Sequence, residues 1–373
     1  MLKIIQRYIA FNFLPPFLLS SIFFIMFLLT FQLFRIIRIV TNKEVEFSVI
    51  AELILHIAIS FFPYSLPFSA LLAGMYSMNK LSLDSEIIAM RSFGNNKFDL
   101  LKPLLIFGLI IALFVFAMGQ KVVPYSQARF QNQVIRLTSK GVLTDIKAGH
   151  FFTDIPNVTL FAANVYKKGE VLGQVFIRAI DKNESLERII FAEKGVIAKT
   201  KVSEMDIPDL KINLTNGNIV QRYQGKNNIE KIVFKEYEFP LFNENIAPGF
   251  VLKDSMRSFS ELYRIIFTEK FRKQVGAGIY KTELEFWTRI NTPLLVILFL
   301  VLGFNLGINK GRGRSKNTSS LAFIILVLYY VLFFFGVSLG KKGDIAPFLA
   351  VFTPTVLLFW INTYLYKKLD WVN

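Results

Sequence analysis

Glu285 and Arg289 stand four residues apart at the start of an apolar run, so on a helix the carboxylate and the guanidinium face each other. Such a pair can offset the cost of burying either charge, or it can be an interfacial pair whose arginine snorkels toward water. Arg35 and Arg38 are three apart and share a face at the end of the first apolar run, with Lys43 just beyond. Lys341 and Lys342 occupy a short turn between two later runs. Cations in these places anchor a span in a bilayer, or they hold phosphate oxygens, which guanidinium forks do bidentately. A further set runs from Lys80 to Gly94. There Ser82, Asp84 or Ser85 can cap a short helix, and Glu86 falls in its first turn, where the macrodipole favours a carboxylate. Leu83, Ile87, Ile88, Met90 and Arg91 make this helix amphipathic over about 82–94, and Gly94 is a natural stop.

Two readings of that short helix stay open: it lies on the membrane surface, or it docks in a groove of a separate ATPase. The chain offers little other chemistry. It has no cysteine and two histidines, His56 and His150, far apart, so disulfides, thiolate metal sites and His-based catalysis have nothing to build on. There is no G-x-x-x-x-G-K-[ST] or H-E-x-x-H. No cofactor is expected. Acidic residues are scarce inside the apolar runs, which speaks against a carboxylate relay. If this protein moves something uphill, the energy comes from a partner.

The elements that carry these residues are set by composition. Of 373 residues, 53% are hydrophobic and 40 are Phe, more large rings than an ordinary soluble core can cover. Mean hydropathy is +0.45. This is an integral membrane protein. The net charge of +16 gathers at the ends of apolar runs and on one middle segment, which reads as topology anchors and anionic-lipid contacts rather than nucleic-acid binding.

Six spans are predicted, at about 9–34, 50–78, 103–125, 286–308, 318–340 and 345–366. The first is too long for a signal peptide and shows no cleavage site, so it is retained. The second contains Pro63 and Pro67 and should bend. Lys310, Arg312, Arg314 and Lys316 crowd one short connector, which the positive-inside rule keeps in the cytoplasm. Both termini are then cytoplasmic, and residues 126–283 lie on the opposite side. That middle segment alternates polar and apolar residues over Val158–Val165, Gln174–Ile180, Arg188–Thr200, Lys211–Leu214, Asn218–Arg222 and Lys231–Phe239. Asn216-Gly217 predicts a hairpin between two of these strands, since both turn positions favour positive φ. Short, regularly spaced strands suggest a sandwich or jelly roll. Residues from Phe259 to Lys281 read as a helix leading back to the membrane.

Taken in order, several stretches resemble the LptF/LptG permease family of lipopolysaccharide exporters. They are Arg7-Tyr8-Ile9, Pro63–Pro67, Leu81–Gly94, Glu285-x-x-x-Arg289-x-x-x-Pro293, Arg312-Gly-Arg314, Tyr329-Tyr330, Ser338-Leu339 and Gly343–Pro347. The resemblance covers nearly the whole chain and leans slightly toward LptF. Departures are the polar run Ser315–Ser320 and Phe352-Thr-Pro354, where a Trp-x-Pro element is common.

The resemblance implies six transmembrane helices, three on each side of an inserted periplasmic β-jellyroll. Helices one to three with the coupling helix fall within 1–125, the jellyroll and return helix within 126–283, and helices four to six within 284–373. It implies the bacterial inner membrane, a second LptF/LptG-type permease, an LptB-type ATPase dimer, LptC-type and LptA-type periplasmic partners, and lipopolysaccharide as cargo. It gives Glu86, with Asp84 and Arg91 beside it, the role of ATPase coupling. Arg35, Arg38, Lys341 and Lys342 take the role of lipid-phosphate contacts. The rival expectation is an ATPase-coupled scaffold or mechanotransmission protein that moves no lipid.

Overall fold

The computed structural model describes residues 4–40, 45–153, 155, 157–166, 170–181, 186–201, 208–223, 229–241, 253–269, 271–272, 278–308 and 318–369. The chain divides into two compact units. One comprises Met1–Leu33, Ile54–Gln127 and Asp254–Asn373; the other comprises Phe34–Leu53 and Ala128–Lys253.

The first unit is a bundle of mostly apolar helices, three of which pass between the units, at Phe34, Leu53 and Ala128. Helix α1 (Ile4–Val40) runs unbroken through Pro15-Pro16. Helices α2 (Phe47–Ser60) and α3 (Phe62–Leu83) meet at a 56° bend. Pro63 lies in the first turn of α3, where its missing N–H costs no helical bond, so the expected bend is a break into two helices. A short α4 (Glu86–Ser92) follows. Helix α5 (Lys97–Ala117) passes through one π-helical turn, Met118–Val122, into α6 (Val123–Asp145). After the second unit come a 3₁₀ turn (Asp254–Met256) and α7 (Phe259–Phe267), then α8 (Ile279–Gly307), α9 (Thr318–Lys342) and α10 (Pro347–Lys368). Among the described residues, five helices are long and apolar enough to cross a bilayer, or six if α2 and α3 count as one span. The basic connector from Lys310 to Lys316 lies outside the described residues.

Helix α8 is the axis of this bundle: 67% of its apolar window is buried against protein, against 11% for α1. Small residues allow the close approach that lipid cannot drive by itself. Gly303 and Gly307 of α8 lie on the α3 backbone; a Cβ on Gly307 would stand 2.7 Å from the Met75 carbonyl oxygen. Gly336 of α9 meets Ala350 of α10 in the same way, at 2.6 Å from its carbonyl oxygen. Polar side chains then join the last three helices. Asn291 of α8, Tyr329 of α9 and Thr355 of α10 form a closed triangle of hydrogen bonds, 2.8 to 3.3 Å long, with all three residues buried.

Among its described residues the second unit holds one antiparallel sheet of six strands in sequence order: β1 (Phe151–Phe152), β2 (Val158–Tyr166), β3 (Val171–Asp181), β4 (Leu186–Lys201), β5 (Pro208–Tyr223) and β6 (Ile229–Pro240). This order is a meander, a simpler path than the double Greek key of a jelly roll. The expected hairpin at Asn216-Gly217 is not there. Asn216 does take positive φ, at 53°, but inside the continuous strand β5.

The use of that conformation is visible across the sheet. Ala163, Gln174, Glu193, Asn216 and Lys235 form a row at which ladder pairing lapses between every pair of neighbours from β2 to β6. On one side of the row β4 buries Ile190 and Ala192; on the other it buries Ile197. β3 buries Leu172 before the row, then Val175, Ile177 and Ala179. β5 changes from Ile212 and Leu214 to Ile219. The inward parity switches in each strand, while pairing on the two sides keeps a constant register. One pleat position is therefore skipped in all these strands together, so the apolar side chains stay in one cluster. Gln174, at φ 50°, and Asn216 make the skip on β3 and β5, and the Asn216 amide donates to Glu193 Oε2 at 3.1 Å.

Candidate functional site

Helix α4 is short because its start and stop are both forced. Ser85 precedes it at φ 62°, and Gly94 follows Phe93 at φ 80°. Ser85, not Ser82 or Asp84, holds the N-cap position, and its hydroxyl makes no capping bond. Asp84 ends α3 instead and is exposed. Glu86 does fall in the first turn, and Arg91 in the last. Ile87 and Met90 are buried in the apolar cluster that contains Ile9 and Phe13 of α1 and Leu81 of α3. Leu83, Ile88 and Phe93 remain 53%, 57% and 82% exposed, so these apolar side chains on and beside α4 have no cover within the described residues.

Glu86 is turned toward α1. The Tyr8 hydroxyl donates to its Oε1 at 2.9 Å, and its Oε2 is buried without a hydrogen-bond partner among the described residues. Sequence reasoning marked Tyr8 only within the Arg7-Tyr8-Ile9 stretch and missed it as the partner of Glu86. The available signal was an amphipathic ring beside Arg7 at the head of a span, where a tyrosine keeps its tip polar.

Between α1 and α3 lies an open groove of about 630 Å³, walled by Phe11, Pro15, Leu19, Phe23, Leu72 and Tyr76, with Lys80 at its end. Beside it a run of rings joins three helices. Phe24 of α1 lies 5.4 Å from Phe68 of α3, which stacks on Tyr330 of α9 at 5.1 Å. The groove and rings give apolar surface that a hydrocarbon chain can occupy.

The structure brings Glu285 and Arg289 together. Arg289 Nε donates to Glu285 Oε1 at 2.9 Å, and the arginine side chain is 9% exposed. The rest of the guanidinium reaches backbone: Nη1 donates to the Arg257 carbonyl at 2.8 Å and Nη2 to the Ser255 carbonyl at 2.9 Å. Arg289 therefore fastens the turn at Asp254–Met256 to α8, a task for which a planar fork is suited and an ammonium is not. Those carbonyl partners lie more than thirty residues away in sequence, so spacing alone could not reveal them.

The side chains of Arg35 and Arg38 fall outside the described residues, although both positions are on α1. Lys341 and Lys342 end α9, exposed and without an ion-pair partner among the described residues. Gly343 closes that turn at φ 86°, over the Tyr280 ring. No group of three His, Asp or Glu residues suited to a metal occurs among the described residues.

A bundle of helices long and apolar enough to cross a bilayer, interrupted in sequence by an antiparallel sheet, defines a multi-pass membrane protein. The family described as "Lipopolysaccharide export system permease LptF/LptG" matches residues 7–368, and the chain belongs to it. Similar curated proteins include the lipopolysaccharide export system permease protein LptG of Escherichia coli (strain K12), 21% identical over 315 residues and 81% of each chain. LptG of Haemophilus influenzae is 21% identical over 277 residues, 71% of each chain. Membership makes this protein a transport subunit of the inner membrane, not a catalytic enzyme.

Proposed function

We propose that this chain is the lipid-handling permease of an ABC-type extractor that lifts lipopolysaccharide from the outer leaflet of the inner membrane. The observation that carries this reading is the family match from residue 7 to 368, which takes in the helices and the inserted sheet alike. Lipopolysaccharide enters a cavity shared with a second permease of the same family. Its acyl chains lie along the surfaces of α1, α3 and α9, and its phosphates meet Arg35, Arg38, Lys341 and Lys342. The middle domain then receives the acyl chains in the manner of a jellyroll. Its apolar cluster, with Ile177, Ile190, Ile212 and Leu214 fully buried, supports that role.

Energy comes from an LptB-type ATPase dimer beneath the membrane. Exposed Leu83, Ile88 and Phe93, with Glu86, Asp84 and Arg91 among them, support α4 as the element that docks there. Both termini are cytoplasmic, the sheet is periplasmic, and LptC-type and LptA-type proteins take the lipid onward. A photocrosslinker at Ile177 or Ile212, in cells, tests this reading. Crosslinks to lipopolysaccharide are expected. Full lipid export with no lipid adduct at any inward sheet position would refute passage through this domain.

A further inference from the structure

We infer that the Tyr8 hydroxyl ties Glu86 to the base of α1, so that movement of α4 is delivered to α1 through this bond. The inference rests on the proposed function, in which α4 is the docking helix. The carboxylate of Glu86 has one hydrogen bond holding it, from Tyr8 at 2.9 Å, while its other oxygen is buried and unpartnered among the described residues. A carboxylate held by one donor, with its other oxygen turned inward, is oriented by that donor. Apolar contact reinforces the link, because Ile87 and Met90 of α4 share a cluster with Ile9 and Phe13 of α1.

The next feature along α1 is a weak point. Pro15 and Pro16 lack the N–H groups that would bond the carbonyls of Phe11 and Asn12. Ser77 of α3 lies 3.0 Å from the released Asn12 carbonyl and shares its one proton between that oxygen and the Ala73 carbonyl of its own helix at 2.7 Å. The foot of α1 is thus fixed to α4 by Tyr8 and to α3 by Ser77, while two ladder bonds to the rest of the helix are missing. Helices bend at such places. A displacement of α4 therefore tilts α1 about Pro15-Pro16, which changes the width of the groove between Phe11, Leu19 and Tyr76. Tyr8 touches neither lipid nor nucleotide in this scheme; it is a positioning residue.

The test uses the assembled exporter, reconstituted in proteoliposomes with lipopolysaccharide, and measures three quantities: ATPase retained on purification, ATP hydrolysed, and lipid released per ATP. Tyr8→Phe removes one oxygen. Retention and hydrolysis should hold while lipid per ATP falls by about fivefold, the lower end of coupling between linked sites. Glu86→Gln keeps an acceptor for Tyr8 but loses the charge, so retention should fall while lipid per ATP in the remaining complex is preserved. The chain has no cysteine, so spin labels on cysteines introduced at Leu19 and Phe93, attached before assembly with the other subunits, report only those sites of this chain. Nucleotide should change their separation in the otherwise native chain and not with Tyr8→Phe. Normal lipid per ATP in Tyr8→Phe overturns the inference, as does an equal loss of all three quantities, which marks a merely structural role. Failure of the native chain to retain any ATPase overturns the proposed function as well.

Discussion

Gly303 of α8 lies against Leu71 of α3 so closely that a methyl group on it would overlap the Leu71 carbonyl oxygen. Gly303→Val should therefore push the two central helices apart. Overpacking of this kind costs about 1–3 kcal/mol, read as a lower unfolding temperature in detergent. Gly119→Ala is the control, since a Cβ there meets nothing within 4 Å. It should be neutral or slightly stabilising. Equal behaviour of the two variants would refute the close-packing account.

Arg289→Lys keeps the charge beside Glu285 and loses the fork that reaches the Ser255 and Arg257 carbonyls. It should destabilise the chain, and Arg289→Ala should do so further, because it also leaves the half-buried Glu285 carboxylate without its partner. Thermal unfolding measures both. If Arg289→Lys matches the native protein, the two carbonyl bonds contribute nothing.

The triangle of Asn291, Tyr329 and Thr355 should act as a unit. Tyr329→Phe and Thr355→Val are each expected to cost about 0.6–1.7 kcal/mol, the range for interhelical hydrogen bonds in membranes. The double variant should cost less than their sum, because each single change already breaks the ring. Strict additivity in a double-mutant cycle would mean that the three groups act independently.

Charge reversal separates the two proposed contact regions. Glu86→Lys should reduce the ATPase that co-purifies with the permease, and unchanged recovery would remove Glu86 from docking. Arg35→Glu should lower lipid release while the complex stays intact. Release at the full rate would leave Arg35 as a bilayer anchor only.

Much of this was legible in the sequence, for definite reasons. Spans follow from runs of apolar residues, and the ion pair of Glu285 and Arg289 follows from helical spacing. The short helix around Glu86 was legible from Gly94 and the apolar spacing of Ile87 and Met90, and Ser85 was among the three cap candidates, though its left-handed backbone was not foreseen. Contacts between distant segments carry no local signal. Tyr8 with Glu86, Arg289 with Ser255, and Phe68 with Tyr330 each depend on how helices pack. Asn216-Gly217 shows the converse: the residues correctly announced positive φ at Asn216, but that conformation serves a strand interior as well as a turn.

Asn216→Gly should accordingly be tolerated, whereas Asn216→Val places a branched side chain in left-handed backbone. That costs about 1–2 kcal/mol, visible as a lower unfolding temperature of the full chain. A harmless Asn216→Val would mean that the backbone there relaxes to an ordinary extended form.

The row from Ala163 to Lys235 also limits how this sheet can change length over evolution. Deleting one residue beside Glu193 would turn the rest of β4 inside out while β3 and β5 kept their facing, leaving lysines among isoleucines. Insertions and deletions must therefore fall in the connecting loops, or occur in every strand of the row at once.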